Sequence, residues 1–252
     1  MSADRDDRAV SQSSAQSSAQ SSAQSSLTDR FELFVALLLG AAAIGAALAT
    51  YQESLWGGKS VEAYGRSTVM GTGATSTFND ELTTYMTDSQ VDVEAKKAIW
   101  VGLDTSDPVE AQRSFELASY LYLYRLSGVG YAGLGLPSDV RKAAGAGDGE
   151  ALIAQEDLAV ALERDLGKDY EDELFSQSGT EFAAADVTFD TGRAANATAD
   201  GFSLASVVFS ISLFFAGLAL VFKSRMRWAC LLSGTAIFLV GCIALAVKPW
   251  TG

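Results

Sequence analysis

The sequence predicts an all-α integral membrane protein with three transmembrane helices and an extracytoplasmic antiparallel helical bundle. Three apolar runs, residues 31–52, 201–222 and 228–247, are each about long enough to cross the roughly 30 Å hydrocarbon core of a bilayer as a helix. The segment between the first two runs, residues 53–200, carries 26 acidic and 11 basic side chains. Its apolar residues recur at helical spacing, and no alternating strand pattern of useful length is present.

The N-terminal residues 1–28 are polar, and Ser-Ser-Ala-Gln is repeated three times over residues 13–24. Because this segment has almost no apolar side chain to bury, we predict a disordered cytoplasmic tail. The apolar run that follows is longer than the core of a signal peptide and is barely basic at its start, which favours a retained transmembrane helix. A cleaved signal peptide is the alternative, because Ala47-Leu48-Ala49 resembles a cleavage site.

Small residues mark the helix faces that are predicted to pack inside the membrane. Ala41, Gly45 and Ala49 recur every four residues in the first span, and such a stripe lets another helix approach closely. In the second span, small and hydroxyl-bearing side chains share one face and predict packing in the same way. These residues are Ser203, Ser206, Ser210 and Gly217.

Charge around the spans predicts the topology. The turn between the last two spans, residues 223–227, holds three basic side chains and no acid, and short basic loops stay cytoplasmic. The N-terminus is therefore expected inside the cell, with residues 53–200 and the tail at residues 248–252 outside. Trp56 lies just beyond the first span, where an indole favours the membrane interface.

Within the external segment, Asp107 and Pro108 predict the start of a helix, with Asp as N-cap. The glycine-rich residues 128–135 predict a loop, and the last helix is expected to run unbroken from near Lys168 into the second span. Alternating tyrosines on the first of these helices should divide between core and surface; they are Tyr120, Tyr122 and Tyr124. A close approach is also expected between two sets of small residues, Ala183, Ala184, Ala185, Ala194, Ala195 and Ala197 against Ala63, Gly65, Gly71 and Gly73.

Several kinds of chemistry are excluded or left without support. Histidine is absent, which removes the commonest general base and metal ligand. The pattern from Gly128 to Gly133 matches the glycines of a dinucleotide-binding turn but follows a predicted helix where that motif needs a strand. The acids at residues 169–173 lack the glycine and spacing of a calcium loop. We therefore predict no catalytic, cofactor-binding or metal-binding residue and no enzyme activity.

Two membrane-proximal blocks carry a resemblance to other proteins. Residues 51–58 read Tyr-Gln-Glu-Ser-Leu-Trp-Gly-Gly and are followed by Glu62-Ala63, residues 189–196 read Phe-Asp-Thr-Gly-Arg-Ala-Ala-Asn, and residues 214–217 read Phe-Phe-Ala-Gly. Together they resemble a group of uncharacterised prokaryotic membrane proteins with one helix, an external helical region and a terminal hairpin. The resemblance implies this three-span architecture and one membrane-proximal packing unit that includes Trp56 and Asn196.

The expected function is a noncatalytic membrane-anchored scaffold or accessory subunit of a cell-envelope complex, acting through the external bundle. A sensory module that binds a small ligand or a cation is the alternative, and an accessory subunit of a transporter or an enzyme is a further one. Expected partners are membrane lipid, further copies of the chain and other membrane proteins in the cell (plasma) membrane. Nucleic acid is not expected, because the acidic segment repels it.

Overall fold

The structure, a computed structural model, describes the backbone of residues 4–147, 151–222 and 225–250, with side chains from Arg30 onward. Every regular element within these ranges is a helix, which confirms the all-α prediction. Among the residues that the structure describes, three helices contain stretches long and apolar enough to cross a membrane, namely α1, α7 and α8. The helices are α1 (Asp4–Asp104), α2 (Pro108–Tyr124), α3 (Gly128–Gly133), α4 (Ser138–Gly145), α5 (Gln155–Glu163), α6 (Lys168–Leu174), α7 (Ser176–Val221) and α8 (Met226–Val247).

The chain divides into two compact units. Residues 1–64 and 190–252 form the first, which we call the span unit because it contains the three apolar runs. Residues 65–189 form the second, which we call the acidic unit.

The start of α1 differs from the sequence prediction. The helix begins at Asp4, whereas the composition of residues 1–28 predicts disorder. Extending a helix that the apolar run has already nucleated requires only one hydrogen bond per added residue, so residues of moderate propensity can follow it. The side chains before Arg30 lie outside the described residues, so the behaviour of the tail in solution stays a prediction.

The core of the span unit is formed by three helices that meet around a buried phenylalanine. Phe209 of α7 is fully buried, and a Cβ atom at Gly45 of α1 would lie 2.8 Å from its ring. A Cβ atom at Gly241 of α8 would lie 2.9 Å from the same ring. The two glycines therefore leave the space that this aromatic side chain fills. A second buried cluster joins the same helices through Phe31, Val35, Leu38, Ala216, Ala219, Cys230 and Leu231.

The core of the acidic unit is formed by the end of α1 together with the shorter helices. Val91, Ala95 and Ile99 of α1 recur at helical spacing and are buried. Leu103, which continues the same helical spacing, lies in α1 but is 50% exposed. The helix ends one residue later, at Asp104. The other buried members of this cluster include Ala118, Tyr122, Leu126, Leu134, Ile153, Leu158 and Ala161.

Three local predictions can be compared with the helices of the acidic unit. Asp107 caps α2 as predicted, and its carboxylate accepts a 2.9 Å hydrogen bond from the Val109 N–H. The glycine-rich loop is wrong in part, because residues 128–133 form α3. The unbroken last helix is also wrong: the backbone departs from helical geometry at Phe175, between α6 and α7. The Phe175 ring there lies 5.5 Å from the ring of Phe78.

The small residues predicted to allow a close helix approach behave differently from one another. Ala185 is 5% exposed, and its carbonyl accepts a 2.9 Å hydrogen bond from the Ser67 hydroxyl. In contrast, a Cβ atom at Gly71 or Gly73 would meet nothing within 4 Å. The same holds for Gly65, so the prediction that these three glycines permit close packing is wrong.

Candidate functional site

The small residues predicted in the first span face two different surroundings. Ala49 is completely buried, and Gly45 is buried against Phe209. Ala41 is only half-buried and lines an apolar groove between α1 and α8. The four-residue stripe is therefore divided between the helix interface and a surface groove.

The predicted residues of the second span also separate. Ser206 makes a 3.1 Å hydroxyl contact with Thr50 of α1, so it joins two helices. The Ser210 hydroxyl donates to the Ser206 carbonyl of its own helix at 3.0 Å. At Gly217 an added Cβ atom would meet nothing within 4 Å, so no neighbour requires a glycine there.

Trp56 and Asn196 lie in the same unit but have different partners. The Trp56 indole N–H donates to the Pro249 carbonyl at 3.0 Å, which joins α1 to the residues after α8. The Asn196 side chain donates to the Asp200 carboxylate of its own helix at 3.3 Å. Asn196 also lines a shallow depression beside Gly57, the neighbour of Trp56.

Sequence reasoning missed a buried carboxylate in the acidic unit. Asp88 of α1 is 1% exposed and accepts three hydrogen bonds. The donors are the Ser127 N–H at 2.7 Å, the Ser127 hydroxyl and the Tyr170 hydroxyl at 2.9 Å. Ser127 caps α3 and Tyr170 belongs to α6, so this one carboxylate joins three helices.

The close approach of Asp88 explains a glycine in α3. A Cβ atom at Gly130 would lie 2.6 Å from a carboxylate oxygen of Asp88, which is nearer than real Cβ contacts. The Gly130 N–H instead donates to the Ser127 hydroxyl at 2.9 Å. Of the glycines that resemble a dinucleotide-binding turn, Gly130 thus allows a short helix to lie against a buried acid.

A second buried acid lies one helical turn away. Asp92 is 7% exposed and accepts a 3.0 Å hydrogen bond from the Tyr122 hydroxyl of α2. Its other carboxylate oxygen lies 2.9 Å from the Lys96 ammonium. Lys96 also lies 2.9 Å from Asp165 and donates to the Arg164 carbonyl. Asp92 and Lys96 therefore connect α1 to α2 and to the segment after α5.

Burial and neighbouring charge change the pKa of the two tyrosines and of the lysine in this network. Burial, followed by the charge of Asp92 and its hydrogen bond, raises the pKa of Tyr122. Burial and the hydrogen bond to Asp88 raise the pKa of Tyr170 in the same way. Burial alone would lower the pKa of Lys96, but hydrogen bonds and charge from Asp165 and Asp92 outweigh it, so the pKa is raised. Both tyrosines thus remain hydrogen-bond donors.

A sequence signal for these acids exists. Asp88 and Asp92 are four residues apart and fall on the same face of α1 as Val91, Ala95 and Ile99. An acid on an otherwise apolar face is rarely buried without a partner. The signal therefore indicates buried acids, whereas the identity of Ser127 and Tyr170 as partners depends on contacts between residues far apart in the sequence.

The acidic cluster at residues 169–173 is a surface feature apart from Tyr170. Asp172 forms an ion pair with Lys168 four residues earlier. Glu171 accepts a 3.3 Å hydrogen bond from the Tyr85 hydroxyl. Within the side chains that the structure describes, no group of three or more metal-ligating residues is close enough to hold an ion.

Helix α2 presents an aromatic face to solvent. Leu117 and Tyr120 are each 52% exposed, and Tyr124 is 49% exposed. The rings of Tyr120 and Tyr124 lie 5.3 Å apart. Tyr122, between them in sequence, is completely buried, so the predicted division of the three tyrosines is confirmed. We call Leu117, Tyr120 and Tyr124 the aromatic face.

A depression of about 420 Å³ lies between α2 and the residues that lead into α5. Its polar lining includes Gln112, Glu116 and Gln155. The Gln112 amide already donates to Glu116 at 2.9 Å, and the Ser119 hydroxyl at the same depression accepts from the Ile153 N–H at 2.8 Å. Part of its polar capacity is therefore satisfied within the chain.

Comparison with known proteins gives no precedent for the aromatic face or for the depression beside α2, because no family model, curated protein or solved structure matches the chain. The resemblance to prokaryotic three-span membrane proteins stays a prediction.

Proposed function

We propose that the chain is a noncatalytic membrane-anchored scaffold or accessory subunit of a cell-envelope complex. The observation that carries this proposal is the aromatic face of α2. Tyrosine offers a large contact area with few rotatable bonds, and it is enriched at protein interfaces and at their energetic centres. Two neighbouring tyrosines and a leucine, each about half exposed, fit the recognition of a partner protein.

The opposite side of α2 supports this role. Tyr122 is completely buried and its hydroxyl is fixed by Asp92. A helix that is held in this way presents its outer residues in one arrangement, which lowers the entropy lost on binding. The aromatic face is therefore organised before any partner arrives.

The proposal includes a topology in the cell membrane. The N-terminus and the turn at residues 223–227 lie in the cytoplasm, and residues 53–200 lie outside as a helical bundle, as the basic turn favours. Two single-cysteine variants, Met226→Cys and Glu156→Cys, test this in a background with Cys230→Ala and Cys242→Ala. A membrane-impermeant thiol reagent should label position 156 in intact cells and position 226 only after permeabilisation. Labelling in the reverse order overturns the topology.

Photo-crosslinking tests the scaffold function directly. A photoreactive amino acid replaces Tyr120 in the full chain in cells, and the matched control replaces Val160 of α5, which is 46% exposed. We expect one adduct of defined mass from position 120 and none from position 160. The adduct should disappear when Leu117 and Tyr124 are both changed to serine.

Mass spectrometry of that adduct separates the two forms of the proposal. A second copy of the chain indicates self-assembly, and a different membrane or envelope protein indicates an accessory subunit. If position 120 gives no adduct, or if the adduct survives the serine changes, the aromatic face is not a docking surface and the proposal loses its support.

A sensory module is the second candidate, and the depression beside α2 favours it. Its volume and its converging amide and carboxylate groups fit a small polar ligand. This function predicts that a small polar compound or a divalent cation raises the melting temperature of the full chain, and that Gln155→Ala abolishes the shift. If no member of a panel of amino acids, sugars, Mg²⁺ and Ca²⁺ changes the melting temperature of the unaltered chain or of Gln155→Ala, the sensory function is contradicted.

A further inference from the structure

We propose that the groove between α1 and α8 in the span unit holds one acyl chain of an anionic phospholipid, whose headgroup lies against Arg225 and Arg227. The inference rests on the membrane placement in the proposed function but not on the aromatic face. The inference is that one particular class of lipid binds this groove, whereas most apolar surfaces of a membrane protein are covered by bulk lipid of any kind.

The groove suits a hydrocarbon chain. It has a volume of about 520 Å³ and is lined by apolar side chains that include Phe34, Leu37 and Leu232. Its one hydroxyl, on Thr235, donates to the Leu231 carbonyl at 2.8 Å. Because this hydroxyl is satisfied within α8, the groove offers a polar ligand no free group at its centre.

The length of the groove fits one leaflet. Its lining on α8 extends from Trp228 to Leu239, which at 1.5 Å per residue is about 16 Å. Half of the roughly 30 Å hydrocarbon core is about 15 Å. Trp228 at one end is 50% exposed, and an indole favours the interface between headgroups and hydrocarbon. The groove thus begins at the interface and ends near the centre of the bilayer.

The charge at the Trp228 end indicates an anionic headgroup. The Arg227 guanidinium lies 4.6 Å over the ring of Phe31, which packs edge to face against Trp228 at 5.1 Å. Arg225 precedes them and is exposed. No carboxylate pairs with either arginine in the part of the chain that the structure describes. Both guanidinium groups are therefore available to a lipid phosphate.

A transmembrane helix fits the same groove poorly. Helices pack closely where small residues line the contact, and here the lining residues are mostly Leu, Phe and Trp. Gly45 and Gly241, two glycines of this unit that allow a close approach, already face Phe209. A flexible acyl chain can follow a surface of bulky side chains, so we assign the groove to lipid and not to a second copy.

Native mass spectrometry of the full chain in mild detergent tests the assignment. The added lipids are phosphatidylglycerol and phosphatidylethanolamine with identical acyl chains. We expect one phosphatidylglycerol to be retained at concentrations where phosphatidylethanolamine is lost. Arg225→Gln and Arg227→Gln should each weaken retention about fivefold, and Lys248→Gln at the opposite end of α8 should not change it.

A second pair of variants tests the groove itself. Ala41→Phe places a ring in the groove and should abolish retention, whereas Ala47→Phe, on an exposed position of the same helix, should preserve it. Both proteins are first checked for unchanged helicity. If Ala41→Phe does not fold, the arginine variants decide the matter alone.

The outcomes separate this inference from the scaffold function. Equal retention of the two lipids, retention that survives Ala41→Phe in a folded protein, or a dimer that Ala41→Phe dissociates would each overturn the lipid assignment. A missing crosslink at Tyr120 would overturn the scaffold function and leave lipid retention unchanged. Release of the chain from membranes by carbonate would overturn the membrane placement on which both depend.

Discussion

Removing the Asp88 carboxylate tests the account of the acidic unit most directly. In the structure this buried group accepts three hydrogen bonds from Ser127 and Tyr170. A hydrogen bond to a charged group contributes about 1.5–3 kcal/mol, but such contributions within one network are not additive. Since changes above about 4–5 kcal/mol are exceptional for single substitutions, we expect Asp88→Ala to lower the free energy of unfolding by about 4 kcal/mol.

Gly130 turns this expectation into a test of geometry. A Cβ atom there would lie 2.6 Å from Asp88, so Gly130→Ala alone should cost about 2–3 kcal/mol through overpacking. In a protein that already carries Asp88→Ala, the oxygen that would clash is absent. We therefore expect the cost of Gly130→Ala to fall by at least about 1 kcal/mol in that background, which is a coupling typical of residues in contact.

The measurement is urea unfolding of the full chain in mild detergent, followed by pulse proteolysis of the acidic unit. Asp186→Ala, which removes an exposed acid, is the control and should change stability by less than about 0.5 kcal/mol. Additive costs in the double variant would refute the contact between Asp88 and α3. A loss below about 1 kcal/mol for Asp88→Ala would refute its role in joining the helices.

Two further predictions concern packing and pH. Gly45→Val should separate the helices around Phe209 and lower the melting temperature of the full chain in detergent, whereas Ala47→Val at an exposed position should not. The pKa of Asp165 is lowered by Lys96, so the stability from this pair is complete above the ordinary Asp pKa of about 3.9 and is lost as pH falls through the lowered value. The pKa of Lys96 is raised, so its contribution is present below about 10.4 and is lost as pH rises through the raised value. Lys96→Met should therefore reduce the loss of stability at both low and high pH when the free energy of unfolding is measured against pH. A pH dependence of unchanged shape would contradict this.

Local sequence patterns account for the helices and for their class of environment. Long uncharged runs predict the apolar stretches of α1, α7 and α8, because crossing a bilayer requires a fixed length of apolar helix. The Asp107-Pro108 pair predicts the start of α2, because capping depends on neighbouring residues only. Such features are readable from one segment without knowledge of the rest of the chain.

Errors arose where distant residues decide the local structure. Residues 128–133 have the composition of a loop, but Ser127 caps them and Asp88 holds the cap, so they form a helix. The break at Phe175 coincides with a ring contact to Phe78, which is almost a hundred residues away in sequence. Neither partner can be identified from spacing, because spacing describes one helix at a time.

The buried acids also bear on how the acidic unit reaches a single arrangement. Much of its core is alanine, including Ala95, Ala118 and Ala161, and it contains no cysteine that could form a disulfide. Small, similar side chains distinguish one helix register from the next only weakly, whereas a buried carboxylate is costly in every register that lacks its donors. Asp88 and Asp92 have donors on three other helices between them, so a shift of any one helix would leave a charge unpaired. The register that satisfies both acids also directs Tyr120 and Tyr124, on either side of Tyr122, to solvent. Asp92→Ala removes the acceptor that fixes Tyr122 and should loosen α2, so we expect it to reduce the yield of the proposed crosslink at position 120.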